Sequence, residues 1–468
     1  MRGNDADGHR FIDKALANGA VAVVAQRAPA GGAEEGTAWA HVSDSRLALA
    51  RLADLTCGCP SRDLKLAGVT GTNGKTTTSY LLDSVLRESG LTTGVIGTLG
   101  YRVGDRLVEG GMTSPESLDL ARLLGSMVDE GVGAVTMEIS SHALTLKRTA
   151  GASFDTATFT NLSRDHLDFH GTIAEYAAAK KLLFGHIAGA GGKEGATAII
   201  NTDDEFGREL AAYAGSTGSL RVVTYGRTGA DVSVVDASSG PAGTNATFST
   251  PAGGFTAELK LISEFNVMNA LAATAVAVSQ GVPTDVIASG LSKVGSVEGR
   301  LETVDAGQDF AIVIDYAHTP DALEKTIAAV ARLVPGRLIT VFGCGGDRDR
   351  GKRPMMGEIA AAGSDVVVVT SDNPRTEDPA AIIAQIVEGA KPALAGAELA
   401  VIEDRRAAIA HAIGLAAPGD LVLIAGKGHE DYQLVGNTKL HFDDREEARA
   451  AVVAGGSDRG NDGEDAAD

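Results

Sequence analysis

The strongest chemical signature in the chain is Val69-Thr-Gly-Thr-Asn-Gly-Lys-Thr-Thr-Thr78. An apolar run, Leu64 to Val69, predicts a short buried strand before it, and an amphipathic run to Leu86 predicts a helix after it. A glycine turn between a strand and a helix start offers backbone N–H groups to an anion. Gly71 and Gly74 let that backbone come close, and the helix N-terminus adds positive potential. Lys75 adds a charge, and the Thr76 hydroxyl can hold Mg²⁺. Val69 stands where a strict Walker pattern has its first glycine, and a glycine turn before a helix is also a common structural device. The Gly-Lys-Thr ending favours nucleotide binding.

Further along, Glu138 ends an apolar run in Met-Glu-Ile-Ser-Ser-His142, where a carboxylate can reach a metal beside a triphosphate. His166, within Asn161-Leu-Ser-Arg-Asp-His-Leu-Asp168, is a second candidate ligand because of the cluster around it. Lys180 and Lys181 share one predicted helix, 173–184; by sequence physics alone adjacent lysines are a solvated face. Arg300, in a hinge-like Glu-Gly-Arg segment, is either a phosphate clamp from the next domain or a linker arginine. Four polar loops then follow four predicted strands: Asp315-Tyr-Ala-His318, Gly345-Gly-Asp-Arg348, Asp372-Asn-Pro-Arg375 and Gly426-Lys-Gly-His-Glu430.

The elements that must position these residues alternate short apolar strands with amphipathic helices from Lys65 onward, a parallel-sheet α/β pattern. Residues 221–250 break it with a small β excursion, and a second open α/β sheet begins after Val297. Open sheets of this kind bind ligands beyond the carboxyl ends of their strands, where the four polar loops fall. The length of 468 residues suggests two to four domains, and 44% hydrophobic content can build real cores. A net charge of -20 argues against nucleic acid or an anionic membrane as partner. No stretch reaches transmembrane length and no signal pattern opens the chain, so a cytosolic protein is expected. The three cysteines fit a reducing compartment, and Cys57-Gly-Cys59 lacks the usual zinc or redox spacing.

Taken together the ordered strings from Gly71 to Glu430 resemble the ATP-dependent Mur ligases of peptidoglycan precursor synthesis, most closely the branch that adds the third amino acid. The resemblance implies residues 1–64 as a UDP-substrate domain, 65–297 as a central P-loop ATPase and 298–454 as a Rossmann-like domain for the incoming amino acid, with 455–468 a disordered tail. It implies that Gly71, Thr72, Asn73, Gly74, Lys75, Thr76 and Thr77 cradle ATP. Asn266 and Asn269 would lie near adenine, and Arg300 and Asp315 would meet phosphate and ribose. Thr76, Glu138 and His166 become Mg²⁺ ligands. Lys180 becomes a lysine carbamylated by CO₂, an anionic oxygen ligand suited to a second Mg²⁺. Thr113, Ser114, Ser140 and Arg148 match positions that hold UDP-N-acetylmuramoyl-dipeptide, as do Asn4, Asp5 and Ala6. Arg348, Asp372, Asn373, Pro374, Arg375, Gly426 and Glu430 match the amino-acid pocket. The family's first domain opens with a further strand and a uridine-reading segment, and this chain is expected to start inside that domain. Leu146 replaces a polar contact of some relatives, and Ser114 stands where Thr is common.

The reaction implied is two-step: a substrate carboxylate takes the γ-phosphoryl group, and an amine then displaces phosphate. Lys75, Arg300 and Lys180 are its expected catalytic residues, and a monomer is favoured. The choice of amino acid turns on Arg375. Diaminopimelate carries a distal carboxylate that lysine lacks, and a guanidinium grips a carboxylate bidentately while opposing an ammonium. Pro374 stiffens the loop that aims it. The bland alternative is a surface pair with Glu377 or Asp378. The expectation is diaminopimelate, meso, with the LL isomer not distinguished. Two other readings are a folylpolyglutamate synthetase, which needs neither a UDP-sugar domain nor the Asp-Asn-Pro-Arg loop, and a non-catalytic nucleotide-binding regulator.

Overall fold

The structure, a computed structural model, describes residues 7–27, 36–108, 110–240, 243–333 and 335–459. Asn4, Asp5 and Ala6 lie outside the described residues, as does the 460–468 part of the expected tail. The chain divides into two compact units: Met1–Gly71, Ser89–Phe159 and Ala177–Thr224 form the first; Thr72–Glu88, Thr160–Tyr176 and Tyr225–Asp468 form the second.

The first unit begins with a small parallel pair, β1 (Ala22–Ala25) and β2 (Ala38–His41). β2 was not foreseen, because the four residues Ala-Trp-Ala-His are short and mostly exposed. The large sheet contains β3 (Lys65–Thr70), β4 (Thr93–Gly97), β5 (Gly100–Val103), β6 (Arg106–Val108), β7 (Ala134–Glu138), β8 (Phe154–Phe159), β9 (Gly192–Asn201) and β10 (Arg221–Gly226). Their order is β10-β9-β8-β3-β7-β4-β5-β6. The centre is parallel, while β5 and β6 turn back antiparallel as a short hairpin that the apolar pattern did not reveal. Strands β3, β4 and β7 are buried almost throughout, which is why they read as continuous apolar runs rather than alternating ones. Register sets Val69 beside both Glu138 and Thr158, so β3, β7 and β8 end together on one edge.

In the second unit the helix Lys75–Glu88 packs on the helices Glu264–Ser279 and Thr284–Lys293. The anticipated β excursion is an antiparallel trio, β11 (Val232–Gly240), β12 (Gly243–Ser249) and β13 (Phe255–Leu259). A six-stranded sheet follows, from β14 (Glu302–Thr303), β15 (Ala311–Asp315), β16 (Leu338–Phe342), β17 (Val366–Val369), β18 (Glu398–Val401) and β19 (Leu421–Ala425), in the order β14-β15-β19-β16-β17-β18. All but β14 run parallel. Helices Pro320–Val330, Lys352–Gly363 and Pro379–Ala390 bury one face, and Arg405–Leu415 with Asp444–Arg459 the other. Asp315 pairs with Ala425 and Phe342 with Val369, so the four polar loops leave from one edge. A hairpin, β20 (Tyr432–Val435) and β21 (Thr438–His441), lies beside one of them. The last helix reaches Arg459, so the expected tail boundary at 455 falls inside it.

Candidate functional site

The phosphate-type turn forms where β3 ends and the helix at Lys75 begins. Gly71 (φ 150°) and Gly74 (φ 85°) hold backbone conformations that side chains resist. A Cβ on Gly74 would stand 2.3 Å from Asn269 Oδ1, so only glycine allows that amide so near the turn. Asn269 donates in turn to Asn266 Oδ1 at 3.0 Å, and Asn266 to the Ile262 carbonyl at 2.9 Å, a chain that fixes both amides. Lys75 Nζ donates to the Thr72 carbonyl at 2.8 Å and so sits over the turn.

A second strand end clamps this turn. Asn73 N–H donates to Asn161 Oδ1 (3.0 Å), and the Asn73 carbonyl accepts from Asn161 Nδ2 (3.0 Å) and Thr160 Oγ1 (2.7 Å). Tyr176 donates its hydroxyl to Thr72 Oγ1 at 3.3 Å. None of Thr160, Asn161 and Tyr176 was among the candidate residues. Asn161 opens a polar string, which was the available signal; Tyr176 sits in an apolar helix and gives none. His166 holds a left-handed backbone (φ 53°), its Nε2 3.4 Å from Asp165 Oδ2. Burial works to raise the Asp165 carboxyl, but His166, His318 and Lys75 together hold it below the usual carboxylate range.

In the first unit Glu138 is 1% exposed. Its Oε1 accepts from the Thr98 N–H (2.8 Å) and its Oε2 from Thr98 Oγ1 (3.1 Å). Gly97 makes room: a Cβ there would be 2.3 Å from Glu138 Oε1. Neither Thr98 nor Gly97 was anticipated. Thr98 Oγ1 also meets Thr113 Oγ1 at 3.1 Å, Ser114 Oγ donates to the Glu138 carbonyl at 2.9 Å, and the Ser140 N–H donates to Ser114 Oγ at 3.0 Å. Arg148 Nε reaches Glu116 Oε1 at 2.8 Å and its Nη1 the Ser114 carbonyl at 3.2 Å. The structure therefore gathers Thr113, Ser114, Glu138, Ser140 and Arg148 on one edge.

The paired lysines part company. Lys180 is 1% exposed, whereas Lys181 is exposed and lies over the Tyr213 ring, 3.9 Å from its centroid. The solvated-face expectation holds for Lys181 and fails for Lys180.

Arg300 rests its guanidinium over the Tyr316 ring at 4.7 Å and brings Nη2 to 3.4 Å from Thr76 Oγ1. It is placed there by Asp315, whose carboxylate accepts from Leu301 N–H (2.8 Å), Ala317 N–H (2.9 Å) and Thr326 Oγ1 (3.2 Å). Tyr316 packs at a tilt against both His318 and His429, with centroids 4.5 and 5.1 Å away.

The amino-acid candidates also converge. Asn373 Nδ2 donates to Glu430 Oε2 at 2.7 Å, and the buried Lys427 ammonium spans Asn373 Oδ1 (3.3 Å) and Glu430 Oε2 (3.4 Å). Gly426 leaves room for Asp372, whose Oδ2 would stand 2.7 Å from a Cβ there. Burial would raise Asp372, yet Lys427 and Arg405 hold it low, while burial followed by Asp372 itself pushes Glu430 up. Arg375 takes a left-handed backbone (φ 52°) after Pro374, and its Nη1 donates to the Gly346 carbonyl at 2.9 Å. Arg348 is on the exposed neighbouring loop. The surface pair weighed for Arg375 does not form. Glu377 is held instead by Arg353 and Arg350, and among the described residues no carboxylate oxygen lies within 4 Å of the Arg375 guanidinium.

Among the described residues no cluster of three or more His, Cys, Asp or Glu side chains could hold a metal alone. Mg²⁺ takes few protein ligands when phosphate oxygens share its coordination, and the Thr76 hydroxyl of the second unit and the Glu138 carboxylate of the first each carry the oxygen donor that it prefers. No helix of the described residues is long and apolar enough to cross a membrane.

Residues 69–277 match the Mur ligase middle domain and 299–428 the Mur ligase glutamate ligase domain. The chain is 45% identical to the UDP-N-acetylmuramoyl-L-alanyl-D-glutamate--2,6-diaminopimelate ligase of Geobacter metallireducens, covering 96% of this chain and 90% of that one. It is 46% identical to the protein of the same name from Solibacter usitatus, over 96% and 89%. A solved structure of a ligase with that name superposes with a TM-score of 0.68 at 36% identity, covering 95% of this chain and 89% of the other. Identity of this order along nearly the whole chain, on the α/β sheets described above, makes it a member of the Mur ligase family.

Proposed function

We propose that this chain is an ATP-dependent ligase that joins meso-2,6-diaminopimelate to UDP-N-acetylmuramoyl-L-alanyl-D-glutamate in peptidoglycan precursor synthesis, in the cytoplasm. The ligase activity rests on kinship with the Geobacter and Solibacter enzymes. The choice of amino acid rests on one observation: a half-buried arginine, Arg375, aimed by a carbonyl and unmatched by any described carboxylate, beside Asp372, Asn373 and Glu430. A distal carboxylate would complete it, and a lysine ammonium would face a like charge.

The residues divide the work. The turn at Gly71–Thr77 and Lys75 bind the triphosphate, Asn266 and Asn269 lie toward the base, and Arg300 approaches the Thr76 end. The terminal glutamate carboxylate attacks the γ-phosphorus, forming an acyl phosphate and ADP. The neutral amine of the amino acid then attacks that carbonyl, phosphate leaves, and an amide remains. Charge builds on phosphoryl oxygens in the first step, so fixed cations and N–H groups supply most of the rate. Thr113, Ser114, Ser140 and Arg148 orient the UDP-substrate. Thr76, Glu138 and His166 would hold Mg²⁺, which neutralises phosphate charge when bound. Lys180 is carbamylated: its neutral amine adds to CO₂, losing a proton, and gives an anionic ligand. Burial supports this, because at 1% exposure Lys180 is withdrawn from the solvated face that its neighbour Lys181 occupies.

The test is direct. Purified protein is given ATP, Mg²⁺, the UDP-dipeptide and either meso-diaminopimelate, the LL isomer or L-lysine, and tripeptide product is read by mass. Product with the meso acid is expected, and an equal rate with L-lysine would overturn the assignment.

A further inference from the structure

Two loops of the second unit, 343–350 and 372–378, are laced together, and the lacing ends on an ion pair whose arginine is fully buried and whose carboxylate, half-buried, also meets exposed Arg350 at 3.1 Å. Gly346 N–H donates to the Asn373 carbonyl at 2.9 Å, and Arg375 Nη1 donates back to the Gly346 carbonyl at 2.9 Å. Thr376 Oγ1 donates to Asp347 at 2.9 Å. A Cβ on Gly346 would lie 1.9 Å from the Pro374 carbonyl oxygen, so the two backbones are as close as glycine permits. Below them Arg353 is 0% exposed. It grips Glu377 with two hydrogen bonds, Nη2 to Oε1 at 2.8 Å and Nη1 to Oε2 at 3.1 Å. Its remaining reach goes to Gln385 Oε1 at 2.9 Å and to the Gly345 carbonyl at 3.2 Å. Glu377 Oε1 also accepts from the Asp347 N–H at 2.6 Å. One guanidinium thus holds the carbonyl preceding Gly346 on one side and the residue two after Arg375 on the other.

We infer that Arg353 and Glu377 are positioning residues for amino-acid selection, fixing the arginine of the Asp-Asn-Pro-Arg loop through the two loops they tie together. The inference rests on the diaminopimelate reading above. Arg375 has a left-handed backbone that a non-glycine residue does not keep unaided. On one side the hairpin holds it, through Arg375 N–H to the Leu434 carbonyl at 3.0 Å and Gly436 N–H to the Arg375 carbonyl at 2.7 Å. On the other side, among the described residues, the laced loops hold it. A buried fork-to-carboxylate pair is a costly way to gain stability, because desolvation offsets much of its attraction. It is a good way to fix geometry, since two parallel bonds set angle as well as distance.

The experiment separates holding from mere stability. Glu377→Gln keeps the shape and removes the charge, and the pair Arg353→Met with Glu377→Met removes both charges together. Each variant is assayed with the UDP-dipeptide, ATP and meso-diaminopimelate, beside a thermal melt. Glu377→Gln is expected to raise KM for diaminopimelate about tenfold with KM for ATP within about twofold, as a displaced substrate clamp does. The double variant should melt close to the parent, since apolar replacement of a buried pair is often neutral, and should still show the raised KM. An unchanged KM for diaminopimelate in a stably folded double variant would overturn the positioning role. Failure of the unmodified protein to use diaminopimelate would instead overturn the parent reading, and this inference with it.

Discussion

The turn at Gly71–Thr77 and the loop at Asp372–Arg375 both carry cations beyond a parallel strand, yet they differ in how far their own residues specify them. The turn takes its backbone shape from its own residues, and Thr160, Asn161 and Tyr176 only clamp a shape already set. Glycines at 71 and 74 supply the φ values, the helix begins at Lys75, and Lys75 bonds back to Thr72 three residues away. The later loop is specified by distant partners: Gly346, Glu430, Lys427, Leu434 and, through Glu377, Arg353. One site can be recognised from seven contiguous residues, and the other only when several strand ends are brought together. The difference predicts which functions fail together.

The largest effect should come from the self-contained turn. Lys75→Ala removes the charge over the phosphates and is expected to lower kcat by roughly a thousandfold or more, because phosphoryl transfer depends on fixed charge. Diaminopimelate binding should be unaffected. The check is ADP release together with equilibrium binding of labelled amino acid; near-normal ligation would remove the turn from the mechanism.

Next comes the lysine pair. Lys180→Ala should lose on the order of a hundredfold or more in kcat, with partial recovery in added formate or acetate, whose carboxylate can occupy the place of a carbamate oxygen. Lys181→Ala should behave like the parent, because that side chain is exposed over Tyr213. A dead Lys181→Ala beside a normal Lys180→Ala would reverse the two roles.

Arg375→Ala should act on the other side of the comparison. It is expected to weaken discrimination for diaminopimelate over lysine by about 2–4 kcal/mol, the scale of an unpaired charged group in a recognition site. The loss should appear in KM for the amino acid, with KM for ATP unchanged. A parallel rise in KM for ATP would mean that the two regions are not independent.

The same contrast explains what the sequence displayed. The strands β3, β7, β15, β16, β17 and β19 were legible because burial on both faces leaves uninterrupted apolar runs. Glu138 was legible as a charge ending such a run. Thr98, Arg353 and Glu377 were not, since each acts on a residue far away in the chain and none sits in a distinctive string of its own; Asn161 opened such a string, but its hold on Asn73 is 88 residues away. Lys180 and Lys181 differ only in the helix face each takes, and the helix Ile173–Ala188 is apolar on so much of its surface that periodicity does not say which face is inside. Asp315 shows a subtler gap: its position was clear, but its hold on Leu301, next to Arg300, is a tertiary fact.

The smallest expected effect on ligation concerns His429, which lies in the later region and packs at a tilt against Tyr316. Burial, then Arg300 and Arg445, push its imidazole from the usual value to about 4, against a weaker opposing pull from Asp431. Its Nδ1 is buried without a hydrogen-bond partner among the described residues. Above pH 6.5 the ring is neutral in both folded and unfolded chains and contributes no pH dependence. As pH falls from 6.5 toward 4 the unfolded chain takes up a proton that the folded chain refuses, so stability declines across that window and the decline is complete below about 4. The full swing corresponds to about 3 kcal/mol at 1.36 kcal/mol per unit. His429→Gln, which cannot titrate, should therefore flatten the stability curve between pH 4 and 6.5 while leaving ligation at pH 8 within about twofold, as expected when the native ring is already neutral there. Urea melts of parent and variant at several pH values measure the difference. Parallel curves would show that His429 titrates alike in folded and unfolded chains. A large loss of ligation at pH 8 would instead give this imidazole a direct part in the amino-acid step, and the later region would then hold chemistry as well as selection.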